Sequence, residues 1–281
     1  VLFICLQACY SPGMTWDNEL DVLSMAIRKA GAEALRFAVD GFETIQKPDQ
    51  SPVTSADLAV NEVLLSHLLS AFPEDGWLSE ESPDRLERLQ KRRVWVVDPI
   101  DGTKAFISGE PEYCISVGLI EQSRPIVAGI FNPSTDELFT ATRGGGLRLN
   151  SKPVTPPASW NGRHPVIALN QWEQQIGRFT SLDPSINKRP IRSIAWVLAL
   201  AATGRIEGVV TWEPENEWDV AAGALLITEA GGTISDGLGQ ELLFNRREPR
   251  YRGIIATGPH CPEALARQLT GLTCGTDNGL A

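Results

Sequence analysis

The sequence predicts an α+β unit followed by a smaller α/β unit. Three observations carry that reading. Two amphipathic helical repeats open the chain, and a run of apolar strands joined by short polar turns follows them. Beyond a proline-rich stretch, strands alternate with helices. At 281 residues the chain can build two modest domains or one large α/β unit.

Leu20, Leu23, Ile27, Ala30, Ala34 and Phe37 recur at helical spacing, so the first helix should run to about Val39 and end at Asp40-Gly41. The polar, proline-containing stretch Lys47–Asp57 reads as a loop that ends in a capping box. Thr54 is the cap and Asp57 the acid three residues on, and a second helix starts at Thr54 or Ser55. Leu58, Leu65, Leu68 and Phe72 give that helix its apolar stripe, and Pro73 stops it. Strands are expected at "GWLSEE", "VWVVD", "YCISVGLIE", "RPIVAGIFNP" and "ELFTATRG", with a hairpin in "GGGLRLNSKPV". Ser151–Pro165 holds four prolines and marks the expected boundary between domains at 14–155 and 156–281. After it come a strand at "VIALN", a helix from Ser193 to a cap at Gly204, and a strand at "IEGVVT". A helix capped by Asp219 and closed by Gly231-Gly232 follows, then strands at "TISDG" and "ELLF".

Composition narrows the function. Hydrophobic residues at 42% and charged residues at 21% fit a soluble globular protein. A formal net charge of −10 argues against a nucleic-acid-binding surface. It also leaves phosphate chemistry in need of a local positive charge such as a metal ion. The five cysteines show no metal-ligand spacing and read as reduced thiols of a cytoplasmic protein. His67, His164 and His260 lie away from every motif, which argues against zinc. Residues 1–13 are apolar, but shorter than the roughly 18 residues a membrane span needs. They read as an upstream extension, non-native or disordered, with the fold starting near Met14.

The chemistry concentrates in "RVWVVDPIDGTKAF". Asp98 ends an apolar strand, and Pro99 biases it toward an extended conformation. Gly102 permits a positive φ, and Thr103 can cap a new helix with unpaired amides. Oxygen ligands on one side and free N–H groups on the other suit a hard cation and a phosphate. A plain turn would use the same residues. Glu80 and Glu81 in "LSEES" fall at a strand end just before this strand. Asp219 in "EWDVAAG" falls at a helix start, where an ordinary N-cap would also serve.

Taken together and in this order, "WLSEES", "WVVDPIDGTKAF" and "EWDVAAGALLITEAGG" resemble the signature of the inositol monophosphatase superfamily. Within it the pattern is most similar to bacterial 3'(2'),5'-bisphosphate nucleotidases, on Ser79-Glu80-Glu81 and Thr103-Lys104. The resemblance implies the layered αβαβα sandwich shared with fructose-1,6-bisphosphatase, and a lithium-sensitive, magnesium-dependent phosphatase. Glu80, Asp98 and the Ile100 carbonyl would bind a first Mg2+, and Asp98, Asp101 and Asp219 a second. Glu80 would face a weaker third ion, and Mn2+ could substitute. Asp57 and Thr103 would activate the attacking water, and the Gly102 and Thr103 amides would hold the phosphate. Substrate contacts would fall to Glu80, Asp101, Gly102, Thr103, Ser193 and Asp219. The implied partner is a small phosphorylated substrate, with no nucleic acid and no membrane insertion. Dimers are common in such relatives, which leaves a homodimer open.

Two positions depart from the inositol monophosphatase pattern. Arg192 stands where a glycine is usual, either as charge for a second phosphate or as a surface arginine. Trp212 stands where a glutamate contacts inositol, either to stack on a base or to pack under the "EPENEW" loop. The leading expectation is hydrolysis of adenosine 3',5'-bisphosphate, a by-product of sulfate assimilation. An inositol or sugar monophosphatase is the alternative. The intact acid set speaks against a non-catalytic relative that binds RNA or protein.

Overall fold

The computed structural model describes residues 15–155, 162 and 164–271; the expected extension at 1–13 lies outside them. Helix α1 spans Asp17–Asp40, β1 Thr44–Gln46, β2 Pro52–Thr54 and α2 Ser55–Ala71. Then come β3 Gly76–Ser79, a 3-10 turn at Leu86–Gln90, β4 Arg93–Asp101 and α3 Thr103–Ile107. Strands β5 Cys114–Glu121, β6 Arg124–Asn132, β7 Glu137–Thr142, β8 Gly146–Leu149 and β9 Lys152–Pro153 complete the first half. The second half holds β10 Val166–Leu169, α4 Gln171–Gln175, β11 Asn187–Pro190, α5 Ile194–Ala202 and β12 Gly208–Asn216. It ends with α6 Glu217–Glu229, β13 Thr233–Asp236, β14 Arg250–Thr257 and α7 Glu263–Gly271.

Strands β3 to β9 form one seven-stranded sheet in chain order, antiparallel except for the β3–β4 pair. A five-stranded mixed sheet has the order β11-β10-β12-β14-β13. Helices α1 and α2 cover one face of the large sheet, with Leu23, Ile27, Val60 and Leu64 packed against Trp95, Val97, Val117 and Val127. Helices α5 and α6 fill the space between the two sheets, in one continuous core that takes in Val94, Val96, Val209 and Ile254. On the outer face of the small sheet, α7 and Phe179–Ile186 close a third core. The result is five layers, αβαβα.

Strand β4 shows the logic. Its residues alternate between cores: Val94 and Val96 face α5 and α6, while Trp95 and Val97 face α1 and α2. A strand buried on both faces must be apolar throughout, as this one is.

Six expectations need correction. The stretch expected as a loop at Lys47–Asp57 contains β2, which pairs with β1. Leu58, expected on the apolar stripe of α2, is exposed, because the buried face of the helix runs through Val60, Leu64 and Leu68. Helix α6 starts at Glu217 with Asn216 as N-cap, and Asp219 is the third residue of a capping box rather than the cap. Helix α3 is capped by Gly102, not Thr103, because Gly102 takes the left-handed conformation that places Thr103 on the first turn. Thr203, one residue before Gly204, caps α5. "ELLF" is not a strand. Its neighbour β14 already fills the place between β12 and β13, and Leu242 and Phe244 instead insert into the central core.

The central layer is tight. A Cβ at Gly223 of α6 would lie 2.5 Å from Leu198 Cδ1 and 2.7 Å from Leu198 Cβ on α5. Gly223→Val should therefore destabilise the fold by about 1–3 kcal/mol through overpacking. Urea unfolding checks this: the midpoint should fall at unchanged slope, whereas an unchanged midpoint would contradict the close helix contact.

Candidate active site

The site forms where β4 ends. Between β4 and β5, Asp98 pairs with Ser116 and Asp101 with Cys114, so three steps on β4 match two on β5. That extra residue is a bulge. In a regular strand Asp98 and Asp101, three apart, would face opposite sides. The bulge turns both toward α5 and α6. Ile100 changes sides with it and packs in the α1/α2 core.

Asp98, Asp101 and Asp219 bring one carboxylate oxygen each within 4.8 Å of one another, a grouping that could hold a metal ion. All three are buried. Each has one oxygen fixed by the protein. Asp98 Oδ1 accepts the Ile100 N–H at 3.0 Å. Asp101 Oδ2 accepts the Ser193 hydroxyl at 2.7 Å and the Ala195 N–H at 2.6 Å, at the start of α5. Asp219 Oδ2 accepts the Asn216 N–H at 2.7 Å and its side-chain amide at 3.2 Å. Asp98 Oδ2 is buried with no hydrogen-bond partner among the described residues. A buried carboxylate oxygen left unpaired is costly, and a hard cation at that point would satisfy it. The donor set therefore fits a small divalent cation.

Burial, then the charges of Glu80, Asp101 and Asp219, push the Asp98 carboxyl well above the usual range. Burial, then Asp101 and Glu80, does the same to Asp219. Burial raises Asp101 to about 7, although the Ser193 and Ala195 bonds work against it.

Asp57 sits beside the cluster on the first turn of α2. Its Oδ2 accepts the Thr54 N–H at 2.8 Å and the Thr54 hydroxyl at 2.6 Å, completing the expected capping box. Its Oδ1 lies 3.1 Å from the Thr103 hydroxyl, which is also 3.1 Å from the Ile100 carbonyl. Burial raises the Asp57 pKa against these bonds.

Gly102 has φ +93°, and a Cβ there would lie 3.0 Å from the Glu112 carbonyl and 3.1 Å from Ser193 Cβ. Only glycine fits this conformation and contact together. Glu80, Asp98, Ile100, Asp101, Gly102, Thr103 and Asp219 line one cavity of about 210 Å³, with Ser51, Pro52, Lys104 and Arg192 completing its wall.

Two features, Lys47 and Glu215, were not read from the sequence. Lys47 Nζ lies 2.7 Å from Glu80 Oε1 and 2.6 Å from Glu81 Oε1. Glu80 thus reaches the cavity with one oxygen held from outside, and Glu81 is raised to about 7 chiefly by burial. Glu215 is half-buried, four residues before Asp219. Burial and the charges of Asp219 and Asp101 raise its pKa. The Ser193 hydroxyl bonds Asp101 and accepts the Trp196 N–H at 3.1 Å. No single-residue pattern signals Lys47 or Glu215, whereas an N-cap serine was visible for Ser193. Trp212 stacks on Phe179 at 4.7 Å between centroids, so one indole face is covered by the protein.

Fold and site together describe an enzyme that gathers acidic side chains from the large sheet and the helix layer beside it around one small cavity, as expected of a phosphomonoester hydrolase. A family model described as the inositol monophosphatase family matches residues 16–273, and the chain belongs to that family. It is 31% identical to inositol monophosphatase 3 of Solanum lycopersicum over 268 residues, covering 90% of this chain and 97% of the relative. It is also 31% identical to the 3'(2'),5'-bisphosphate nucleotidase CysQ of Escherichia coli (strain K12) over 244 residues, covering 82% of this chain and 95% of that protein. The crystal structure of the extragenic suppressor protein suhB from Bartonella henselae superposes with a TM-score of 0.76 at 29% identity, covering 90% of this chain and 98% of that one. Among the described residues no helix is long and apolar enough to cross a membrane.

The raised carboxyls set a pH dependence for metal-free protein. Asp101 moves from its ordinary 3.8 to about 7 on folding. The folded chain therefore holds more protons than the unfolded chain between those values, and its stability falls as pH rises through them. Glu81 and Glu217, both raised to about 7, act in the same direction. Melting in chelator should show Tm decreasing as pH rises from 4.5 to about 7. A Tm that rises over that range would contradict the clustered, buried carboxyls.

Proposed function

We propose that this phosphatase is magnesium-dependent and removes the 3'-phosphate of adenosine 3',5'-bisphosphate. The observation that carries the reading is the cavity wall: beyond the acids, it bears two cationic side chains, Lys104 and Arg192. A monophosphate held by metal and amides calls on neither, whereas a second phosphate gives Lys104 an anion and competes with Glu110 and Glu112 for Arg192.

Glu80, Asp98 and the Ile100 carbonyl would hold one Mg2+, and Asp98, Asp101 and Asp219 a second. Bound magnesium would supply Lewis-acid charge to the phosphoryl oxygens and acidify a water. The side chains do the rest. Asp57 is fixed through Oδ2 by Thr54, so Oδ1 stays aimed at Thr103. As the Thr103 hydroxyl takes a proton from the attacking water, it passes its own proton to Asp57. The raised pKa of Asp57 suits it to receive that proton. Gly102 and Thr103 amides orient the phosphate for in-line displacement. The same reading carries lithium inhibition, a substrate arising in sulfate assimilation, and a cytoplasmic place of work.

A second reading, an inositol or sugar monophosphatase, is favoured by Glu215. A carboxyl group near the charges of Asp219 and Asp101 can hydrogen-bond polyol hydroxyls.

Phosphate release from adenosine 3',5'-bisphosphate and from inositol 1-phosphate, both with Mg2+, separates the two. The nucleotide should be preferred, and a strong preference for the inositol ester would reverse the ranking. Asp98→Asn should reduce magnesium-dependent turnover to background; retained turnover would remove the two-ion assignment.

A further inference from the structure

Arg192 sits at the mouth of the cavity with its backbone pinned and its side chain loosely held. The next residue, Ser193, is buried and bonded to Asp101, and the Arg192 carbonyl would lie 3.3 Å from a Cβ on Gly102. The position is therefore fixed over the loop that carries Asp101, Gly102 and Thr103. The side chain is 41% exposed, with Nε 2.8 Å from Glu110 Oε2 and 3.7 Å from Glu112 Oε2. Glu112 is shared, because Arg189 also pairs with it. Glu110 is itself 39% exposed. An ion pair this open to water holds its partner weakly. A phosphate offers a guanidinium two parallel charge-assisted bonds and can displace it.

We propose that Arg192 is a two-position specificity residue. Without substrate it rests on Glu110 and Glu112; with substrate it swings onto the second anionic group, the one that is not hydrolysed. Glu110 and Glu112 are then built-in competitors for the arginine, which weaken product binding and reset the site. The proposal rests on the reading that the substrate carries two phosphates. Its signature is a difference in sign. Removing the arginine weakens discrimination for the second phosphate, and removing its internal competitor strengthens it. An arginine that merely joined β11–α5 to the segment after α3 would give both variants the same effect.

The experiment measures kcat/KM for adenosine 3',5'-bisphosphate and for adenosine 3'-monophosphate with Mg2+, in wild type, Arg192→Ala, Arg192→Lys and Glu110→Gln. The ratio of the two substrates is taken within one preparation, so partly unfolded protein cancels. Arg192→Ala should lower the ratio roughly tenfold, mainly through KM, with Arg192→Lys between it and wild type. Glu110→Gln should raise the ratio about threefold. A ratio unchanged in Arg192→Ala, or moved the same way by Arg192→Ala and Glu110→Gln, overturns the proposal while the two-phosphate reading stands. A wild-type ratio near one overturns that reading, and the proposal with it.

Discussion

The site depends on one extra residue in one strand. Asp98 and Asp101 belong to β4, where side chains alternate between two cores, and an unbroken strand would have sent one of them into the α1/α2 core. A buried carboxylate without polar partners is among the most costly groups a core can hold. The bulge at Pro99-Ile100 reverses the alternation once. Ile100 goes to the apolar side, and both acids turn toward α5 and α6. Proline suits the position because a bulge leaves a backbone N–H outside the ladder, and proline has none to leave.

The five layers follow from what those acids need. Asp101 takes two bonds from the start of α5, and Asp219 belongs to the first turn of α6. Both helices lie between the sheets, so the large sheet supplies two acids and the helix layer the third. Helix N-termini favour negative charge, which partly offsets the repulsion of three close carboxylates. What they leave uncompensated shows in the raised carboxyls and in the unpaired Asp98 Oδ2. The cavity is thus a place of concentrated negative charge, which is the condition a hard cation relieves.

What could be read from the sequence was local. The Thr54–Asp57 capping box is an i, i+3 relation and stands as expected. The acids of "DPIDG" and the short turns of the large sheet were equally visible. The cap of α6 was displaced because Asn216 and Asp219 have similar capping chemistry, and only the geometry of β12 decides between them. Lys47 was missed because its carboxylate partners lie 33 and 34 residues away. Strand β14 was missed because arginines and Gly253 interrupt its apolar run. The bulge also has no sequence mark beyond Pro99, which equally fits a strand end. Long-range pairing, not propensity, decided each of these.

The most direct test of the central claim is a crystal grown with Mn2+ in place of Mg2+ and measured for anomalous scattering. The account predicts a strong peak bounded by Asp98 Oδ2, Asp101 and Asp219, with a second between Asp98, Glu80 and the Ile100 carbonyl. Well-ordered Asp98, Asp101 and Asp219 carboxylates with no anomalous peak between them, at millimolar Mn2+, would contradict it.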